Sequence, residues 1–136
     1  MLHFLIADDH MIMRQAIVQV IKDDWPDALC VEATDGPELI DKATGAPWDI
    51  IISDISMPSL SGLEALVVLR DRIPHIPVLL TSIHTEKSYA LKALRSGAAG
   101  FIPKPLIQME LTKAVITVLS GKKYLTEEQA IQLGNL

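Results

Sequence analysis

The chain has 136 residues, 49% of them hydrophobic, which is enough for one domain with an aliphatic core. Its formal net charge of -5 argues against binding nucleic acid by itself, because phosphates require a basic surface. One cysteine excludes an internal disulfide and fits a reducing compartment. No stretch approaches the roughly 18 apolar residues of a membrane span, so we expect a cytoplasmic protein without membrane contact.

Two hydrophobic periods alternate along the chain. Short apolar runs predict five buried strands, in chain order residues 2–7, 28–33, 50–53, 77–82 and 99–102. Apolar residues at helical spacing predict five amphipathic helices, around residues 12–21, 39–43, 63–67, 89–94 and 107–118. This alternation predicts a doubly wound, five-stranded parallel α/β sheet covered on both faces.

Capping signals indicate where helices begin and end. Two pairs, Asp35 with Glu38 and Ser61 with Glu64, are typical of the first turn of a helix. Gly121 is typical of a helix end. Beyond Gly121, the short segment 122–136 opens with a third capping pair, at residues 126 and 129, and predicts one further helix.

The predicted sheet brings polar side chains from four strands to one edge. Asp8 and Asp9 follow the first strand, Asp54 follows the third, Thr81 lies at the end of the fourth and Lys104 follows the fifth. Ligands of open α/β sheets bind at the carboxyl ends of the strands. Three neighbouring carboxylates repel one another, and a hard divalent cation such as Mg2+ relieves that repulsion.

The other groups at this edge suit phosphate chemistry. Lys104 offers a compact positive charge and Thr81 a hydroxyl donor, and phosphoryl transfer needs little beyond positioning and charge stabilisation. Asp54 is the best candidate nucleophile, because an aspartate can form an acyl phosphate. The alternative is that Asp8 and Asp9 only cap the first helix and that Thr81 and Lys104 are ordinary strand and surface residues.

The histidines do not form a group in the sequence. We predict that each is structural or solvent-facing rather than a metal ligand, at positions His3, His10, His75 and His84.

Four motifs in order resemble the receiver domain of two-component response regulators. They are "ADDH" at 7–10, "SDISMPSLSGLEAL" at 53–66, "LLTS" at 79–82 and "GFIPKP" at 100–105. The resemblance covers residues 2 to about 120 and implies the flavodoxin-like (βα)5 receiver fold. "ADDHMIMRQAI" and the tail "GKKYLTEEQAIQL" resemble the NarL/FixJ class, whose members carry a LuxR-type helix-turn-helix after the receiver.

The resemblance implies roles for the residues at the sheet edge. Asp54 would accept a phosphoryl group from the phosphohistidine of a sensor histidine kinase. Asp9, Asp54 and the backbone carbonyl of Ser56 would bind Mg2+ directly, and Asp8 would act through water. Lys104 would hold a phosphate oxygen.

The resemblance also implies how the signal would spread. Thr81 would swing to bond another phosphate oxygen, and Phe101 would turn inward as the aromatic switch. The face built from the fourth helix, fifth strand and fifth helix would then change. The Lys104–Pro105 bond is often cis in the family.

On this interpretation residues 1–121 are the receiver, and residues 122–136 begin the linker helix to an output domain that is missing from the chain. The full protein would control transcription, touch DNA only through that domain and form a homodimer on phosphorylation. It would not be an enzyme, apart from catalysing its own phosphorylation and dephosphorylation.

Three alternatives stay open at this point. The chain could be a stand-alone single-domain regulator or an interaction module that needs no phosphorylation. It could also be a phosphatase of the haloacid dehalogenase type, which uses a similar Asp, hydroxyl and Lys set. Against that last alternative, Ser56 stands where such a phosphatase has a second aspartate, and the chain has no room for a cap domain.

Overall fold

The structure is a computed structural model that describes residues 1–83 and 87–134. Its strands are β1 (His3–Ala7), β2 (Leu29–Ala33), β3 (Ile50–Asp54), β4 (Val78–Ser82) and β5 (Gly100–Pro103). Its helices are α1 (Met11–Asp24), α2 (Gly36–Gly45), α3 (Gly62–Arg72), α4 (Lys87–Arg95), α5 (Ile107–Leu119) and α6 (Glu127–Gln132). A single 3-10 turn, Lys104–Leu106, joins β5 to α5.

The strands form one parallel sheet in the order β2-β1-β3-β4-β5. The predicted doubly wound sheet is confirmed, and the predicted strands match the observed ones to within one or two residues. β3 lies in the centre, and its last residue, Asp54, is in register with Thr81 of β4. The carboxyl ends of β1, β3, β4 and β5 therefore meet at one edge, as a parallel sheet requires.

Two apolar layers sandwich the sheet. Helices α2, α3 and α4 contribute to the layer that contains Ile51, and α1 and α5 contribute to the layer that contains Ile50 and Ile52. Successive strand residues point to opposite faces, and both faces are buried. Burial on both faces is the physical reason why β3 begins with three successive isoleucines. The same burial makes the aspartate at the end of β3 unusual.

One predicted core position of α1 is wrong. Ile12 is 80% exposed, and Met11 beside it is exposed as well, whereas Ile17, Val20 and Ile21 are buried. The helix begins above the sheet edge, so its first turn has no neighbouring layer to pack against. Helical spacing alone does not show where that layer ends.

The segment after Gly121 is ordered against the sheet. Gly121 has a φ of 91°, a left-handed conformation that favours glycine, and ends the turn after α5. The predicted helix is present as α6, and Thr126 and Gln129 form a complete capping box. Within the described residues, no helix has both the length and the apolar character to span a membrane.

Candidate functional site

The predicted edge residues come together in the structure. Asp8 directly follows β1 and is fully buried, and Asp54 is the last residue of β3 and is 3% exposed. Thr81 and Lys104 are also buried. Burying charges is costly unless they are paired, so this arrangement is a built site and not a chance cluster on the surface.

Lys104 joins the two buried carboxylates. Its Nζ lies 3.0 Å from Asp8 Oδ2 and 3.0 Å from Asp54 Oδ2. Pro103 ends β5 directly before it, and the 3-10 turn that starts at Lys104 directs the side chain back over the edge. None of the described peptide bonds is cis, so the Lys104–Pro105 bond is trans here, unlike the cis form often found in the family.

Burial disfavours the negative charge of Asp54, whereas two hydrogen-bond donors beside it stabilise that charge. Burial raises the pKa of the Asp54 carboxyl; hydrogen bonds from the Ser56 N–H and Lys104 partly offset the rise, and the Asp8 charge adds to it. Ser56 N donates to Asp54 Oδ1 at 3.2 Å. For Lys104, burial lowers the pKa, but the adjacent Asp8 and Asp54 carboxylates outweigh it and leave the pKa raised. The amine therefore stays a cation between the acids.

The acidic end of this site fits a metal ion. One ligand atom from each of Asp8, Asp9, His10 and Asp54 lies within 4.8 Å of the others. Asp8 Oδ2 is buried, and no described residue gives it a hydrogen bond of good geometry, despite the nearby ammonium of Lys104. A buried oxygen with spare acceptor capacity, in a set of carboxylates, suits a hard cation such as Mg2+.

His10, predicted to be structural or solvent-facing, lies beside this cluster. Its Nδ1 lies 3.2 Å from Asp8 Oδ1 and 3.2 Å from Asp9 Oδ1, although the side chain is largely exposed. The sequence signal for this placement was its position directly after two aspartates at a strand end. His3 and His75 lie away from the cluster, and His84 lies outside the described residues.

The helix-cap interpretation of Asp8 and Asp9 is not what the structure shows. His10 is the N-cap residue of α1, and no side chain caps the helix. Asp8 Oδ1 instead accepts a hydrogen bond from His10 N at 2.8 Å, inside the loop. Asp8 is thus held in place by its own loop, with its second oxygen directed to Lys104.

Thr81 and Phe101, the two residues predicted to take part in a switch, are both buried. Thr81 Oγ1 donates to the Ser53 carbonyl at 3.5 Å, the long limit of a hydrogen bond, so little holds the hydroxyl in place. Phe101 is only 5% exposed and already packs in the layer that holds Ala90 and Ala93 of α4. An inward turn of Phe101 would therefore begin from a ring that is already buried.

The loop after Asp54 is shaped by a close approach of Gly62. A Cβ at Gly62 would lie 2.0 Å from the Asp54 carbonyl oxygen, and Gly62 N donates to Ile55 O at 2.9 Å. Ser61 and Glu64 then begin α3 with a complete capping box, as predicted. Gly62 thus lets the start of α3 pack directly against the backbone of Asp54.

The Ser61 cap gives a modest stability prediction. Ser61→Ala removes the hydroxyl that accepts from Glu64 N at 3.1 Å, and we expect it to lower the free energy of unfolding by about 1 kcal/mol. Chemical denaturation would measure this loss. Ser88→Ala, in the first turn of α4, is a serine control that makes no capping bond among the described residues, and a loss as large there would contradict the capping explanation.

Comparison with known proteins places these motifs in one family. The family described as response regulator receiver domain matches residues 4–116. The glycerol metabolism activator of Pseudomonas putida is 38% identical over 127 residues, covering 92% of this chain and 57% of that protein. The response regulator UvrY of Escherichia coli K12 is 28% identical over 133 residues, covering 98% of this chain and 61% of UvrY.

A solved structure agrees in fold and class. The LuxR-family two-component response regulator of an Aurantimonas species superposes with a TM-score of 0.86 at 27% identity, over 98% of this chain and 95% of that one. The resemblance to NarL/FixJ regulators is thereby confirmed. The chain spans about 57% and 61% of the length of the two curated relatives named above. With the family match covering most of its length, the chain belongs to the response regulator receiver domain family.

Proposed function

We propose that Asp54 is the phosphoacceptor of this receiver and that a sensor histidine kinase supplies the phosphoryl group from a phosphohistidine. One observation carries the proposal. At the tip of the central strand, the Asp54 carboxylate is buried against Asp8 and shares the single ammonium of Lys104 at 3.0 Å. A second buried carboxylate there does not stabilise the core, whereas phosphoryl transfer can use each of these groups.

In the proposed step, one Asp54 carboxylate oxygen attacks phosphorus, the phosphorus–nitrogen bond breaks, and the electron pair leaves with the imidazole of the kinase. The Ser56 N–H holds one Asp54 oxygen at 3.2 Å and so fixes the carboxylate plane. Lys104, already at 3.0 Å from Asp54, follows the growing charge to a phosphoryl oxygen. The product is an aspartyl phosphate.

Asp9 and Asp54, with the Ser56 carbonyl, would hold Mg2+ directly, and Asp8 would hold it through water. Bound Mg2+ would neutralise the carboxylates and the incoming phosphoryl oxygens. The cluster of acidic side chains fits a metal ion, because the buried Asp8 Oδ2 has spare acceptor capacity, and this fit supports the Mg2+ assignment.

Proteins of this family are signalling proteins rather than classical enzymes. We propose that the only reactions this chain catalyses are its own phosphorylation and dephosphorylation.

Phosphorylation adds about -1.5 to -2 of charge at the rim. The weakly held Thr81 hydroxyl then moves to a phosphoryl oxygen, and Phe101 shifts against α4. The result is a bias between two existing states of the surface formed by α4, β5 and α5.

The wider role also belongs to the proposal. Residues 1–121 would be the receiver, and residues 122–136 would lead to an output domain with a helix-turn-helix that binds DNA. The full protein would be a cytoplasmic transcription regulator that dimerises when phosphorylated. The superposition with a LuxR-family two-component response regulator supports this proposal.

Incubation with acetyl phosphate and Mg2+ tests the acceptor. We expect one phosphate on the wild type and none on Asp54→Asn, measured by intact mass. Asp49→Asn is the matched control, because Asp49 lies before the same strand and its carboxylate accepts a hydrogen bond from His3 N, away from the site. Labelling of Asp54→Asn at the wild-type level would overturn the assignment. Turnover of generic phosphomonoesters would instead favour a phosphatase.

A further inference from the structure

The segment that follows Gly121 is attached to the edge of β5. We call residues 122–134 the tail. Tyr124 N donates to the Ala99 carbonyl at 2.7 Å, and Tyr124 forms a parallel bridge with Gly100. The Tyr124 hydroxyl donates to Glu110 Oε2 of α5 at 2.7 Å, and burial with this bond raises the pKa of Tyr124 to about 12. Tyr124 is therefore an anchor with backbone and side-chain contacts.

Gly100 makes room for this anchor. A Cβ there would lie 3.0 Å from Tyr124 Cβ and 3.1 Å from its carbonyl oxygen, and 2.8 Å from Leu79 Cδ2. Glycine in a strand commonly marks such a close approach of another backbone. The tail thus covers the sheet edge that β5 would otherwise leave unpaired.

Helix α6 is held much less firmly than the anchor. Its Glu128 Oε1 lies 2.6 Å from Lys87 Nζ of α4, and both side chains are more than half exposed. None of its residues is buried, and a cavity of about 170 Å³ remains between α4 and α6. A helix of six residues is not stable alone in water, so α6 depends on this thin contact to stay folded.

Both attachment points lie on the elements that the proposed switch would move. Phe101 directly follows Gly100, and its ring packs in the same layer as Ala90 and Ala93 of α4. A shift of Phe101 would displace α4, and with it Lys87, relative to the anchor at Tyr124. The tail could then no longer keep the Tyr124 contacts with β5 and α5 and the Glu128 contact with Lys87 at the same time.

From this we infer that α6 is a detachable cover on α4. Tyr124 stays anchored to β5 and α5, and α6 releases from α4 when Asp54 is phosphorylated. This inference rests on the proposed function for its release step. The docking of α6 in the unphosphorylated chain does not depend on it.

Hydrogen exchange at residues 127–132 of the 136-residue chain tests the docking. Glu128→Lys reverses the charge opposite Lys87, and we expect exchange in α6 to rise about two- to fivefold, as for loss of an exposed ion pair. Glu127→Lys makes the same charge change in the same helical turn, at a side chain that pairs with no cation among the described residues, and is expected to leave exchange unchanged. Combining Lys87→Glu with Glu128→Lys should restore protection. Equal exchange in Glu128→Lys and Glu127→Lys would overturn the docking.

Beryllofluoride with Mg2+, a stable mimic of the phosphoryl group, tests the release. We expect it to raise α6 exchange in the wild type to the level of Glu128→Lys or above. Fluorine NMR reports separately whether the mimic binds. Binding with α6 still protected would overturn the release step alone, whereas absence of binding would overturn the proposed function and the release with it. The exchange measurements on Glu128→Lys and Glu127→Lys test the docking of α6 whether or not the mimic binds.

Discussion

Lys104→Ala is expected to destabilise the metal-free protein by about 3–5 kcal/mol at neutral pH, because it leaves two buried carboxylates without their shared cation. The Lys104 ammonium lies 3.0 Å from both Asp8 Oδ2 and Asp54 Oδ2, and all three side chains are buried. Urea denaturation measures the loss. Added Mg2+ should recover much of it, since metal binding selects the folded state and neutralises the same acids.

Acid should also reduce the deficit of Lys104→Ala. The pKa of Asp54 is already raised by burial, and losing the ammonium raises it further. A carboxyl with a raised folded-state pKa destabilises the fold while it is ionised, and this penalty disappears as pH falls through that pKa. The gap between variant and wild type should therefore narrow on acidification below neutral pH.

Lys113→Ala is the matched control, because Lys113 is exposed on α5 and forms no ion pair with a described residue. We expect a change within about 0.5 kcal/mol there. An unaltered stability of Lys104→Ala, or a deficit that grows with added Mg2+, would contradict the described charge balance.

Gly62→Ala is expected to cost about 1–3 kcal/mol or more and to slow phosphorylation. The new Cβ would lie 2.0 Å from the Asp54 carbonyl oxygen and 2.9 Å from Ile55 Cα, both of which are backbone atoms in the site. The start of α3 must move away, and Asp54 must move with it. Parallel measurement of unfolding and of acetyl phosphate labelling would show both effects.

Gly45→Ala provides the comparison, since a Cβ at Gly45 meets nothing within 4 Å at the end of α2. Helix propensity predicts a neutral or slightly stabilising result there. A Gly62→Ala protein with wild-type stability and labelling would mean that the loop can give way, and that the close approach does not fix the acceptor.

The strand order and the edge residues could be predicted because parallel sheets leave strong signals. Buried strands are continuous apolar runs, and an acid at the end of such a run, as at Asp54, is hard to explain by packing. The placement of Asp8, Thr81 and Lys104 beside it followed from the rule that carboxyl ends of parallel strands share an edge.

Other features depend on distances that no periodicity encodes. The exposure of Ile12 depends on where the layer above the sheet stops, and His10 joins the acids only through the turn of one loop. Cys30 is half-buried because β2 lies at the edge of the sheet. Tyr124 carried no signal for its bridge to Gly100, since a single backbone contact has no pattern.

The position of the phosphoryl group after reaction with acetyl phosphate and Mg2+ tests the central claim most directly. Peptide mapping should find one phosphate, on the peptide containing Asp54, labile to hydroxylamine as an acyl phosphate is, and absent when Mg2+ is chelated. A hydroxylamine-resistant phosphate on Ser53 or Ser56, or labelling that is indifferent to Mg2+, would contradict it.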